Sequence, residues 1–225
     1  MENMEHTRLS LTEQLKQMRM RNLSTATAES KRIGQQIMEE LNKFNIADTH
    51  LKVGDAAPLF ELPDAYGRIV NLADLLKQGP VVVSFFRGAW CSFCTAELRS
   101  LQQNLYEIMQ LKSSLVAISP QTPDKSLLTV EKNELTFEVL LDLANKTAHQ
   151  FGIAYKVPEL MNNILAGSGV NLEEYNGSEK FELPIPATYV VDTNGIIKYA
   201  YVNPDYSQRA DPIEIIGALR RLRKN

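Results

Sequence analysis

The chain has 225 residues, 44% of them hydrophobic and 23% charged, with a formal net charge of -3. That is ample material for a globular core, and with this slight acidity nothing suggests a basic nucleic-acid surface. No apolar run reaches the roughly 20 residues that cross a bilayer as a helix, so a membrane-spanning reading is set aside as well.

The opening stretch Met1-Glu2-Asn3-Met4-Glu5-His6 is acidic and lacks the apolar centre of a secretion signal. Ser10-Leu11-Thr12-Glu13 has the pattern of a helix capping box, and Leu11, Leu15 and Met18 follow at helical intervals. A second helix is expected from Thr27 to Phe44, with Ile33, Ile37, Met38 and Leu41 on its apolar face. No Gly/Pro-rich linker follows, so residues 1–50 read as a helical extension of a main domain covering 51–225. The two apolar stripes must be covered, either by the same chain or by a second copy in a homo-oligomer.

Phe60-Glu61-Leu62 and Arg68-Ile69-Val70-Asn71, joined by the turn Pro63-Asp64-Ala65-Tyr66-Gly67, predict a hairpin. A short helix over Leu72–Lys77 leads to the apolar strand Pro80-Val81-Val82-Val83-Ser84-Phe85-Phe86. A long helix follows, carrying Leu98, Leu101, Leu105, Ile108 and Met109 at helical spacing. Next come a strand at Leu115–Ser119, a helix at Pro123–Asn133, a short strand near Val139–Leu141 and a helix at Ala144–Phe151. Gly152–Pro184 is long for a connection and reads as a surface helix with a loop, or as a flap over a site. Thr188–Asp192 and Ile196–Val202, joined at Thr193-Asn194-Gly195, form a second hairpin. A last amphipathic helix starts at Pro212, and its basic end (Arg220, Arg221, Arg223, Lys224) complements the helix dipole. Strands alternating with helices, closed by a hairpin and a helix, argue for an α/β fold with a mixed central sheet covered on both faces.

Both cysteines fall in Arg87-Gly88-Ala89-Trp90-Cys91-Ser92-Phe93-Cys94, where the apolar strand gives way to the long helix. Unpaired N–H groups and the dipole of a helix's first turn stabilise a thiolate there, and the thiolate is the reactive form. Structural zinc needs four ligands; no further cysteine exists, and His6, His50 and His149 show no ligand spacing. Two inert buried thiols remain an alternative. The reading adopted is a redox-active pair needing no metal or organic cofactor, and a pair without further cysteines suits a reducing cytoplasm.

These residues carry a family resemblance. Val53-Gly54-Asp55-Ala56-Ala57-Pro58-Leu59-Phe60 resembles the entry segment of the alkyl hydroperoxide reductase/thiol-specific antioxidant proteins, the peroxiredoxins. The Arg87–Cys94 run with Glu97-Leu98 looks like a peroxiredoxin-like subgroup with a thioredoxin-type C-x-x-C. Leu183-Pro184-Ile185-Pro186-Ala187-Thr188 resembles the thioredoxin-fold segment in which a cis proline faces the disulfide, and Pro204–Arg209 also fits the subgroup. The resemblance implies a thioredoxin-like fold, with Trp90, Arg87, Pro186 and Thr188 supporting Cys91 and Cys94. On the family's P-x-x-x-T-x-x-C pattern, Cys94 takes the peroxidatic position, Cys91 replaces the Thr, and Arg87 replaces the Pro. Pro186 then stands where a distant Arg belongs, so the groups that orient the peroxide are expected to be missing. Arg87 is either a replacement charge near the thiolate or a surface contact, and Glu97 reads as a first-turn acid favoured by the dipole.

Peroxiredoxin register makes Cys94 the attacking sulfur; thioredoxin logic makes it Cys91. Either way the chain cycles between dithiol and disulfide and needs an outside reductant, a thioredoxin-like protein or a low-molecular-weight thiol. The expected activity is thiol-dependent peroxide reduction. Disulfide exchange in the thioredoxin manner, with Ile185 exposed by a cis Pro186, and a non-catalytic redox sensor are the alternatives.

Overall fold

In a computed structural model, residues 9–44 and 46–223 are described. The acidic Met1–His6 stretch and Lys224 lie outside them. The central sheet has five strands in the order β5-β4-β3-β8-β9: β3 (Val81–Phe85), β4 (Ser114–Ser119), β5 (Glu138–Leu141), β8 (Ala187–Val191) and β9 (Ile197–Val202). β3 pairs parallel with β4, and β4 with β5, whereas β3–β8 and β8–β9 are antiparallel. Every residue of β3 is buried, which is why it reads as a continuous apolar run rather than an alternating one.

Two clusters of apolar side chains fill the two faces of the sheet. One face is covered by α5 (Ser92–Gln110) and α10 (Pro212–Leu222), whose Leu98, Leu101, Ile108, Ile215 and Leu219 meet Val82, Leu115 and Val190. α6 (Pro123–Asn133) flanks α5 and β5. Helix α4 (Leu72–Leu76) and α7 (Lys146–Gln150), the latter entered through a 3-10 turn at Leu143–Asn145, lie on the route between strands. The expected first hairpin is present as β1 (Glu61–Pro63) against β2 (Ile69–Asn71).

The N-terminal helices α1 (Leu11–Thr25) and α2 (Ala28–Asn42) pack on this same chain, and a short α3 (Ile46–Thr49) follows them. Ser10 Oγ accepts from Glu13 N at 3.2 Å and Thr27 Oγ1 from Ser30 N at 3.1 Å, so each helix starts at the residue its sequence announces. Leu11 and Leu15 enter the core beside α5, and Ile37 and Leu41 enter the opposite cluster. Asp211 ties α1 down: its Oδ2 accepts from Thr12 N and Thr12 Oγ1, both at 3.0 Å, while its Oδ1 caps α10 through Ile213 N.

The long Gly152–Pro184 connection is a built layer rather than a loop with one helix. Its ends, β6 (Ala154–Lys156) and β7 (Glu182–Pro184), pair antiparallel, and between them run α8 (Glu159–Gly167) and α9 (Leu172–Asn176). Ile153, Tyr155, Val157, Met161, Leu172 and Leu183 are buried in the core. Burial of these side chains, invisible in a sequence rich in Gly, Asn and Glu, is what orders the segment.

Candidate active site

β3 ends at Phe85, and Phe86 N still bonds Ile118 O at 3.0 Å. The chain then turns sharply through Gly88, whose φ of +152° suits only glycine and where a Cβ would stand 2.4 Å from Trp90 Nε1. Ala89 N donates to the buried Gln121 Oε1 at 2.6 Å, which fixes the turn from the side. Cys91 is the N-cap of α5 and Cys94 lies in its first turn. Both thiols are free and buried, 4% and 0% exposed.

Two arginines enclose the pair. Arg87, itself buried, donates from Nη2 to Cys91 Sγ at 3.0 Å. Its guanidinium lies 4.0 Å from the centre of the Tyr206 ring and 4.9 Å from that of Trp90. Arg87 Nε and Nη1 and Trp90 Nε1 are buried without an acceptor. Arg209 reaches the second sulfur: Nη2 stands 3.3 Å from Cys94 Sγ, Nε bonds Glu97 Oε2 at 2.7 Å, and Nη1 donates to the Tyr206 and Gln208 carbonyls. Thr188 Oγ1 on β8 approaches Glu97 Oε1 at 3.5 Å.

Burial by itself raises the pKa of Cys91, but the hydrogen bond from Cys94 and the charges of Arg87 and Arg209 outweigh it and bring this thiol well below its ordinary value. Cys94 is pushed well above it by burial and by the hydrogen bond and negative charge of Cys91. The two shifts run in opposite directions, and the lowered one belongs to Cys91. Glu97 is raised to about 7, because burial outweighs its pairing with Arg209. Tyr155, from the β6–β7 layer, stands near enough to Arg87 for each to perturb the other, and burial raises its phenol.

The structure thus brings Cys91, Cys94, Trp90 and Arg87 together and sets Thr188 behind them, on Glu97. The expectation for Pro186 fails: no cis peptide bond occurs among the described residues. The β6–β7 layer explains the change, since Ile185 N donates to Ile153 O at 2.8 Å and Ile185 is 1% exposed. Backbone expected to face an incoming peptide is instead spent inside the fold. The expected loss of the distant Arg is corrected too: a guanidinium does stand at Cys94, delivered by Arg209 from the segment between β9 and α10. Arg87 is no surface contact, and Glu97 is a buried ion-pair partner rather than an exposed first-turn acid. Local signals for Arg209 and Tyr206 were weak, with only the resemblance of Pro204–Arg209 to the subgroup pointing there, and nothing in the sequence pointed to Tyr155.

A mixed five-stranded sheet with a cysteine pair at the junction of its central strand and the following helix defines a thioredoxin-fold protein. Residues 53–200 match the AhpC/TSA family, and the chain belongs to that family. Peroxiredoxin Bcp of Escherichia coli is 37% identical over 103 residues, 46% of this chain and 65% of that protein. A putative peroxiredoxin of Mycobacterium tuberculosis is 31% identical over 155 residues, 69% of this chain and 87% of that protein. The crystal structure of peroxidoxin BcpB from Mycobacterium tuberculosis matches with a TM-score of 0.60 at 25% identity, covering 77% of this chain and 99% of that one. The chain spans just under two thirds of the length of the Escherichia coli relative it matches. No helix among the described residues is long and apolar enough to cross a membrane.

Proposed function

We propose that this chain is a thiol-dependent peroxide reductase cycling between the Cys91/Cys94 dithiol and an intramolecular disulfide. The observation that carries the reading is Arg87: it holds the Cys91 sulfur at 3.0 Å while its Nε and Nη1 have no protein acceptor. Buried donors left unpaired are costly, and their use is to meet charge that develops during reaction. The Cys91 thiolate attacks one peroxide oxygen and the O–O bond breaks, giving a Cys91 sulfenic acid and an alkoxide or hydroxide that takes a proton from solvent. The Cys94 thiol then displaces water from the sulfenic acid to form the disulfide. Two outside thiols reduce it, leaving their own disulfide as the product.

Burial of both sulfurs favours a peroxide, a substrate of a few atoms, over a protein disulfide, and the trans, enclosed Ile185–Pro186 segment supports the same choice. A second order of attack keeps one observation in its favour: Cys94 occupies the first turn of α5 with Arg209 at 3.3 Å. Residues 51–225 are then the catalytic domain and residues 1–50 an extension holding the Arg209 segment through Thr12. A reducing cytoplasm is the compartment this cycle suits, with a thioredoxin-like protein or a small thiol as donor.

The test is peroxide consumption by wild type, Cys91→Ser and Cys94→Ser, with dimedone labelling of the variants. Wild type should consume peroxide and yield only the Cys91–Cys94 disulfide, with a labelled Cys91 in Cys94→Ser. Labelling of Cys94 in Cys91→Ser, with Cys91 inert in the other variant, would transfer the attack to Cys94. No peroxide consumption by wild type overturns the function.

A further inference from the structure

The Arg87 guanidinium is enclosed by aromatic side chains. The centre of the Tyr206 ring lies 4.0 Å from it and that of Trp90 4.9 Å, while Nη2 holds Cys91 Sγ at 3.0 Å. Tyr155 approaches from the β6–β7 layer, where its residue pairs with Leu183. Its side chain is buried, and its ring leans on Phe44 with centroids 5.8 Å apart. The hydroxyl end stands near enough to Arg87 and Cys91 to sense both charges. Yet Arg87 Nε and Nη1 bond no acceptor in the protein. A phenol and two buried N–H donors thus stand beside the attacking sulfur with no hydrogen bond between them. One peroxide oxygen, accepting from both, would join them.

We propose that the Tyr155 hydroxyl is the general acid of peroxide cleavage, donating its proton to the leaving oxygen while Cys91 takes the terminal one; the inference rests on the Cys91 attack proposed above. The leaving oxygen departs as hydroxide or alkoxide, each a far stronger base than a phenolate, so the transfer runs downhill. Burial keeps the phenol protonated until that moment. The S–O bond forms as the O–O bond breaks, and Cys91 is oxidised to its sulfenic acid. The peroxide is reduced to water or an alcohol that carries the Tyr155 proton. The phenolate, held beside the Arg87 guanidinium, regains a proton from solvent once the product has left. Solvent thus still supplies the net proton of the cycle, but by way of the phenol. The neighbouring protic groups are otherwise engaged. The Cys94 thiol bonds to Cys91, Thr188 Oγ1 turns to Glu97, and Glu97 pairs with Arg209 on the side of Cys94. Tyr206 meets Arg87 with its ring rather than its hydroxyl.

Tyr155→Phe removes the hydroxyl and keeps the ring against Phe44. Reduced wild type and variant are mixed with hydrogen peroxide or with peracetic acid, and single-turnover oxidation is followed by the fluorescence of Trp90, the one tryptophan of the chain. Alkylation by iodoacetamide is measured alongside as a function of pH. Peracetic acid expels acetate and iodoacetamide expels iodide, bases too weak to need a proton. Hydrogen peroxide should oxidise the variant about 100-fold more slowly, the low end of what a positioned acid contributes. Peracetic acid should react at nearly the wild-type rate, and the pH midpoint of alkylation should not move. A loss shared equally by both peroxides, or a shifted alkylation midpoint, means that Tyr155 only supports the pocket; either result overturns the acid role and leaves peroxide reduction standing. An unchanged rate with hydrogen peroxide overturns it likewise. No oxidation of wild type by either peroxide overturns the function and this assignment with it.

Discussion

Replacing Arg87 by Met removes the guanidinium while keeping most of the buried stem, and it isolates what the charge does for Cys91. The contact is a charge-assisted hydrogen bond of 3.0 Å between groups that are both inside the protein. Such bonds contribute about 1.5–3 kcal/mol net, and at about 1.4 kcal/mol per pH unit the thiol should titrate about 1–2 units higher in the variant. Arg209 remains in the assayed protein, so the shift is not larger. The fold should tolerate the change, because the departing guanidinium takes two unpartnered donors with it. The assay is the pH dependence of iodoacetamide alkylation of the reduced protein, with Cys94→Ser as background so that one thiol is read. Single-turnover peroxide oxidation should slow in parallel. A titration midpoint within about 0.3 unit of the parent protein, where about 1–2 units is expected, refutes the view that Arg87 sets the thiolate.

Arg209→Met should behave differently, costing about 3–5 kcal/mol in urea unfolding at pH well above 7, where Glu97 is ionised and loses its buried partner. Glu97 ionises near 7 in the fold against 4.5 unperturbed, so its contribution is fully present below about 4.5 and lost as pH rises through 7. That span corresponds to about 3 kcal/mol, and Glu97→Gln should flatten the decline in stability across it. Cys91 has the opposite sign: its depressed pKa stabilises the reduced fold fully above the roughly 8.5 of an unfolded thiol and loses that effect as pH falls through the folded midpoint. Cys91→Ser should accordingly remove a rise in Tm with pH over that window. Gly88→Ala should lower stability by at least about 1 kcal/mol and change Trp90 fluorescence, since the new methyl meets the indole nitrogen and the backbone is left in a strained region.

How much was legible in the sequence follows from the range of the forces involved. The five strands of the central sheet, the helix that starts at Cys91 and the two capped N-terminal helices are written in local patterns: apolar runs, 3.6-residue spacing, and Ser10 and Thr27 placed where side-chain oxygens meet helix N–H groups. Cys91 and Cys94 at a strand–helix junction are likewise local, so the redox pair could be read directly. Arg209 could not, because it lies 115 residues from Cys94 along the chain and nothing near it in sequence distinguishes a buried ligand of sulfur from a surface cation. The reversal at Pro186 has the same origin. Its surroundings are set by a hydrogen bond from Ile185 to Ile153, which exists only once the β6–β7 layer has closed over the sheet edge. The amino-acid order thus determined which elements form and where the two thiols sit. Only the tertiary structure set the two thiols apart, lowering the pKa of Cys91 and raising that of Cys94, because those shifts depend on desolvation and on guanidinium groups brought to within hydrogen-bond distance by packing.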